Sequence, residues 1–128
     1  MSISAAGSAA GVTDVGLVAR LGAAQLTDGV PVIIAGPPAA GVAFVVTNID
    51  VFSDGTATGD VNVQVVIGGT SIWFWNDTFG AATEGSRHYR GLFVLRPGES
   101  LEMSSFINGS AVVCGYVVPY HAGVAYGL

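Results

Sequence analysis

Titratable side chains concentrate in one stretch of the sequence, SRHYRGLFVLRPGESLEM at residues 86–103. An imidazole, arginines and carboxylates lie close together there: Arg87, His88, Arg90, Arg96, Glu99 and Glu102. Two carboxylates could serve glycoside hydrolysis, but residues three positions apart on a strand point to opposite faces of a sheet. The pattern instead predicts two strands joined by a turn at residues 96–99, with the glutamates meeting the arginines across the strands. The arginines and His88 are therefore interface candidates, and none is predicted to be catalytic.

Cys114 is the single cysteine of the chain, and it lies in the apolar segment VVCGYVV. A nucleophilic thiol needs a base within hydrogen-bonding reach, whereas the two histidines, His88 and His121, lie on another predicted strand and in the tail. Two histidines are also too few for a zinc site, which takes three or four ligands. We expect Cys114 to pack as a small apolar residue, and we expect no catalytic residue and no cofactor.

The segment NIDVFSDGTATGD brings three carboxylates together: Asp50, Asp54 and Asp60. Carboxylate and carbonyl oxygens are the ligands that Ca²⁺ takes in proteins, so these residues are a candidate calcium site. Their spacing does not match an EF-hand loop, and Asp-Gly is also common in turns. A polar loop without metal is the expected structure.

The segment TSIWFWN contains both tryptophans of the chain. Strand alternation places Trp73 and Trp75 on one face and Ile72 and Phe74 on the other. One pair is expected in the core, and the other must be covered by a loop, a sugar or a neighbouring subunit. Trp73 and Trp75 are therefore interface candidates, and a carbohydrate-binding module is the competing interpretation.

A two-residue alternation of apolar and polar side chains begins near residue 30. In VNVQVVI, for example, Val61, Val63 and Val65 share one face. Gly68-Gly69 and Asn108-Gly109 are typical of two-residue hairpin turns. The sequence therefore predicts an all-β fold, a β-sandwich or jelly roll of about seven or eight mostly antiparallel strands with an extended N-terminal arm.

The sequence divides into three parts, an N-terminal arm with a first element at 1–29, a β-sandwich domain at 30–120 and a C-terminal tail at 121–128. Residues 13–26 fit a short helix or a first strand equally well, because Thr13 and Asp14 could cap a helix that two glycines weaken. Leu17 and Leu21 are the apolar interface candidates of this part.

Charged residues are scarce. They make up 10% of the chain, against roughly 25% in soluble domains, and there is no lysine. Exposed apolar surface is therefore expected, and such surface marks contacts with other proteins. A net charge of −5 argues against nucleic acid as a partner.

No apolar stretch is long enough for a membrane span. The lone thiol and the start of the sequence, which has no secretory signal pattern, predict synthesis in a reducing cytoplasm.

The segment RGLFVLRPGESLEM, followed by NGSAVVCGYVVPY and preceded by FVVTNID, resembles the small β-sandwich structural proteins of tailed bacteriophages. Within that group it is most similar to capsid decoration, or cement, proteins. The resemblance covers residues 41–120. The chain departs from the pattern of that group at its Ala/Gly-rich N-terminus and at the aromatic IWFW segment.

The resemblance implies a non-enzymatic virion subunit, made in the host cytoplasm and placed on the outer capsid surface. Such a subunit binds where major capsid proteins meet and stabilises their contacts. It implies a homotrimer whose partners are its own copies and the major capsid protein, without nucleic acid or membrane. A head fibre, a tail or baseplate component and a carbohydrate-binding module are the alternatives.

Overall fold

The computed structural model of the chain describes residues 19–121. They form eight strands in two four-stranded antiparallel sheets, and the predicted all-β sandwich is confirmed. The strands are β1 (Ala19–Leu26), β2 (Val32–Ala35), β3 (Val42–Asp54), β4 (Gly59–Ile67), β5 (Thr70–Phe79), β6 (Glu84–Leu95), β7 (Ser100–Ser105) and β8 (Gly109–Pro119). The first sheet has the order β1-β8-β3-β6, and the second sheet has the order β2-β7-β4-β5.

The strand order is that of a jelly roll. β1 pairs with β8, β2 with β7, β3 with β6 and β4 with β5. The chain therefore behaves as one long antiparallel hairpin that is wound onto two facing sheets. Its tip is the turn at Gly68 and Gly69, where both residues have positive φ, 57° and 83°. This turn confirms the hairpin predicted there.

Two other predicted hairpins are wrong, although the turns themselves exist. At residues 96–99, the amide of Glu99 donates to the carbonyl of Arg96 over 3.0 Å, and Gly98 has a φ of 83°. This turn leads from β6 in the first sheet to β7 in the second. The turn at Asn108 and Gly109 likewise leads from β7 to β8 across the sandwich. The same turn residues can therefore join neighbouring strands of one sheet or connect one sheet to the other.

The open choice for residues 13–26 is settled for its second half, because residues 19–26 form β1 and pair with β8. The described sandwich therefore includes a strand that the division of the sequence placed with the N-terminal arm. Residues 13–18, the rest of the arm and residues 122–128 lie outside the described residues. Gly22 of β1 has no room for a side chain, since an added Cβ would collide with the carbonyl oxygen of Ile34 in β2. The sheets meet closely at this edge.

The core lies between the inner faces of the two sheets. Its largest fully buried side chains are Leu26, Ile34, Ile49, Leu95, Leu101, Met103 and Ile107. At the edge formed by β5 and β6, aromatic rings fill the gap, and the centroid of Phe74 lies 4.4 Å from that of Phe93 and 4.9 Å from that of Tyr89. This edge is closed by side chains rather than by backbone contact.

Candidate functional site

The predicted charged stretch contributes to a polar cluster on the outer face of the first sheet. Asp50 on β3 lies opposite His88 on β6, and Asn48 lies opposite Arg90. Oδ1 of Asp50 is 2.7 Å from Nδ1 of His88 and accepts a hydrogen bond of 2.9 Å from Arg90. Oδ2 of Asp50 accepts a hydrogen bond of 2.9 Å from Asn48. Together with Ser86, these residues form what we call the β3–β6 cluster.

The environment of Asp50 favours its ionised form. Partial burial raises the pKa of this carboxyl, but the hydrogen bonds from His88, Arg90 and Asn48 and the positive charge of Arg90 together lower its pKa below the usual value. Asp50 is therefore a fixed negative charge at neutral pH. It holds the side chains of His88 and Arg90 in one orientation.

A serine, a histidine and an aspartate stand in series within this cluster. Oγ of Ser86 is 3.1 Å from Nε2 of His88, whose other ring nitrogen contacts Asp50, and this is the order of groups in a serine hydrolase. The Asp50 oxygen is shared with Arg90, however, and the three residues lie on the open face of a sheet. Acyl transfer also requires preorganised donors around a bound carbonyl oxygen. The series is part of a hydrogen-bonded network on the outer face of the first sheet.

Arg87 and Arg96 lie apart from this cluster. Arg87 is paired with the core residue Val51, and its guanidinium reaches from β6 to β5. It donates to the carbonyl of Thr78 over 2.9 Å and lies 4.7 Å from the ring centroid of Phe79. Arg87 thus joins the two sheets within the chain. Arg96 is exposed and lies 3.9 Å from Glu99.

Glu99 meets an arginine as predicted, whereas Glu102 does not face Arg90. Glu102 is paired with Gln64 of β4 on the second sheet, because the chain changes sheets at residues 96–99. The partner of Arg90 is Asp50, from a strand that the prediction had not considered.

The two tryptophans lie on opposite faces of β5, and the prediction that they share a face is wrong. Trp73 pairs with Gln64, whereas Trp75 pairs with the core residue Val63. Phe74 is an extra residue that reverses the alternation, as a β-bulge does. Trp75 packs against the core, and Trp73 is 68% exposed on the outer face.

Apolar side chains cover part of the outer face of the first sheet. Val45 faces away from the core, since its neighbours Phe44 and Val46 pack against the core. Val45 lies opposite Val94 and Tyr116, and Ala43 lies opposite Val118. We call these five residues the outer apolar patch: Ala43, Val45, Val94, Tyr116 and Val118. Ala43 and Val45 are buried within the chain, and the other three are partly exposed. Exposed Phe52 and Leu92 lie on the same sheet.

The three aspartates of the candidate calcium site do not converge. Asp50 belongs to the β3–β6 cluster, Asp54 accepts hydrogen bonds from the side chain and backbone of Thr56, and Asp60 accepts one from Thr78. The bonds from Thr56 also lower the pKa of Asp54. Within residues 19–121, no three metal-binding side chains are grouped closely enough to hold an ion.

The remaining candidates, Leu21, Leu17 and Cys114, have no shared location. Leu21 packs against the core. Leu17 lies outside the described residues. Cys114 is half-buried on the outer face of the first sheet, opposite Arg20.

Sequence reasoning missed Asp50 as an ion-pair partner and Asn108 as a connector. The side chain of Asn108 accepts a hydrogen bond of 2.9 Å from the backbone amide of Asp28 and donates one of 2.8 Å to Thr56. The sequence predicts a turn at Asn108, but no local pattern predicts hydrogen bonds from its side chain to such distant loops. The outward row Asn48, Asp50 and Phe52 could have been found, because it follows directly from strand alternation.

The concave regions of the described part of the chain include a groove and a cleft. A shallow groove of about 870 Å³ runs over β1 and β8 and is lined mainly by small residues. A cleft of about 260 Å³ lies between β5 and β6, with Ile72, Trp73 and Phe93 in its wall and Arg96 and Glu99 at its rim. Neither contains Ser86 or His88.

Residues 19–121 include no helix long and apolar enough to cross a membrane. No protein-family model and no curated protein matches the sequence. The functional interpretation of the chain therefore depends on the geometry of its two outer faces.

Proposed function

We propose that the chain is a non-enzymatic structural protein of a virion, a capsid decoration protein that binds the outer head surface and stabilises contacts between major capsid proteins. The observation that carries this proposal is the outer apolar patch. Val94 and Tyr116 point away from the core and are partly exposed, and Phe52 and Leu92 on the same sheet are 44% and 54% exposed, so a solitary sandwich presents these apolar side chains to water. A face of this composition is stabilised when a second protein surface covers it.

The scarcity of charge supports an assembled state. Charged residues make up 10% of the chain and lysine is absent, so few groups keep separate copies apart in solution. A stable interface buries about 800 Å² on each partner. A sheet face is a suitable surface for this, and copies arranged around a threefold axis each bury one such face in a closed ring.

The β3–β6 cluster gives this interface its selectivity. Arg90 and His88 are 59% and 42% exposed in their side chains, and Asp50 holds both in place. A fixed guanidinium on the same sheet face as the patch offers directional donors to acidic groups or carbonyls of a partner. Such groups fix the register of an interface more than they add to its affinity.

The jelly-roll topology and the resemblance of residues 41–120 to phage decoration proteins support the same proposal. Viral capsid proteins are among the groups that use this fold, although a fold alone does not define a function. On a capsid, several weak contacts made by one oligomer add up to firm attachment.

The first test is the native mass of the full chain by light scattering. We expect an oligomer, with a trimer at three times the 12.9 kDa chain mass. Tyr116→Glu places a charge in the outer apolar patch and should give monomers that remain folded by circular dichroism. Ser71→Glu is the matched control, because Ser71 is exposed on β5 of the second sheet, and the oligomer of this variant should persist.

The second test addresses the capsid itself. Antibodies against the chain should label the outside of intact phage particles from the strain that encodes it. Heads with the protein bound should also withstand a higher temperature before releasing DNA than heads stripped of it. A monomer at all concentrations, or particles that contain no copy of the chain, would overturn the proposal.

A further inference from the structure

The outer face of the second sheet carries a row of side chains with one member from each strand. Trp73 of β5 pairs with Gln64 of β4, Gln64 pairs with Glu102 of β7, and Glu102 pairs with Ile33 of β2. Neighbouring strands lie about 4.8 Å apart. The Cα atoms of Trp73 and Glu102 are thus roughly 10 Å apart, and the side-chain amide of Gln64 lies between these two residues.

Trp73 has the most exposed large apolar side chain of the described residues. The bulge at Phe74 is the reason, because it turns Trp75 inward to Val63 and leaves Trp73 on the outer face. An exposed indole ring is flat and apolar, and it loses little conformational entropy when a ligand stacks on it. The C–H face of a pyranose ring has the matching shape and polarity.

Other side chains of this outer face are polar and are held by one another. Nδ2 of Asn76 donates to Oδ1 of Asn62 over 3.0 Å, and the side-chain amide of Gln64 lies 3.2 Å from the hydroxyl of Ser104. Amides and hydroxyls both donate and accept hydrogen bonds, as sugar hydroxyls do. Because neighbours already orient these groups, less conformational entropy is lost when a ligand binds.

The charges of this face select the class of ligand. Glu102 and, at one end, Asp60 are the charged residues that the described strands place on it, and both are acidic. Arg87 and Arg90 lie on β6 of the other sheet. Arg96 borders the same cleft as Trp73, but the carboxylate of Glu99 lies 3.9 Å from its guanidinium, so acidic groups outnumber this one cation. Nucleic acids and acidic sugars are therefore disfavoured, whereas a carboxylate is a strong acceptor for the hydroxyls of a neutral sugar.

We propose that the outer face of the second sheet binds a neutral saccharide. One ring stacks on Trp73, and its hydroxyls bond to Gln64 and Glu102. The site goes beyond the capsid role, because it lies on the sheet opposite the outer apolar patch and stays accessible when that patch is covered. On a particle it would hold the virion to a glycan-coated surface.

The test begins with an array of neutral and acidic glycans probed with the full chain. The neutral glycan that binds best is then titrated against Trp75→Phe, in which Trp73 is the single indole. We expect a concentration-dependent change in Trp73 emission, and we expect Trp73→Ala to weaken binding on the array by about tenfold or more. Leu92→Ala, which removes an exposed apolar side chain from the first sheet, should bind as the unaltered chain does.

Light scattering of the same samples separates the outcomes. Loss of glycan binding in Trp73→Ala with an unchanged oligomer supports the site. An array without neutral ligands, preferential binding of acidic glycans, or full binding by Trp73→Ala would overturn it. A native mass that falls in Trp73→Ala would overturn it as well, since the face would then be a contact between subunits.

Discussion

The carboxylate of Asp50 lies 2.7 Å from the imidazole of His88, although 38 positions separate the two residues in the sequence. The contact forms because β3 and β6 are adjacent in the first sheet, with Asp50 and His88 directly opposite each other. Arg90 contacts the same oxygen. One carboxylate thus orients both His88 and Arg90 in the interface that we propose, and its role can be tested without disturbing the core.

Asp50→Asn should lower the free energy of unfolding by about 1 kcal/mol, because it removes the charge that pairs with Arg90 in a half-exposed setting. Urea unfolding followed by circular dichroism measures the change. Asp28→Asn is the matched control: Asp28 is exposed in the loop after β1, and its substitution should change stability by less than about 0.5 kcal/mol. Equal effects of the two substitutions would contradict the role of Asp50.

The lowered pKa of Asp50 also predicts a pH dependence. A carboxyl whose pKa is lower in the folded than in the unfolded chain stabilises the fold above its unfolded pKa, near 3.8. This contribution is lost as the pH falls from that value through the lower folded pKa. Urea midpoints measured across this range should fall with pH more steeply for the unaltered chain than for Asp50→Asn. Parallel curves would show that the ionisation of Asp50 does not stabilise the fold.

The series Ser86, His88 and Asp50 gives a test of the non-enzymatic assignment. If His88 serves the interface network, the hydroxyl of Ser86 is not activated, and a fluorophosphonate probe should not label the chain. Mass spectrometry of the treated protein checks this. Labelling at Ser86 that disappears in His88→Ala, with circular dichroism unchanged, would instead show a working nucleophile and overturn the assignment.

The sequence predicts the local features of the structure better than the long-range ones. The alternation of Val61, Val63 and Val65 and the turn at Gly68 and Gly69 predict strands and one hairpin correctly, because both depend on residues that are close in the chain. The sheet exchanges at residues 96–99 and at Asn108 could not be predicted in this way, since the same turn residues suit both connections.

The candidate surfaces show the same limit. Trp73 is exposed, and its role in a surface contact stays a prediction. The bulge that separates it from Trp75 has no signature in IWFW, because a bulge reflects the register between two strands rather than the composition of one. The partner of Arg90 likewise depends on which strands become neighbours. The direction of Trp75 after the bulge and the contact between Asp50 and Arg90 both depend on how neighbouring strands pair. The sequence of one strand does not contain this information.

Gly22→Ala tests the edge where the two sheets meet. A Cβ at this position would collide with the carbonyl oxygen of Ile34 and approach the Cα of Ala35, so β1 and β2 must separate to admit a methyl group. We expect a loss of about 2–3 kcal/mol in the free energy of unfolding, as in other overpacked sites. Gly80→Ala is the matched control, because an added Cβ there meets no atom within 4 Å, and it should unfold at nearly the urea concentration of the unaltered chain. If Gly22→Ala were as stable as Gly80→Ala, the close approach of β1 to β2 would not hold in solution, and the sandwich would be open at this edge.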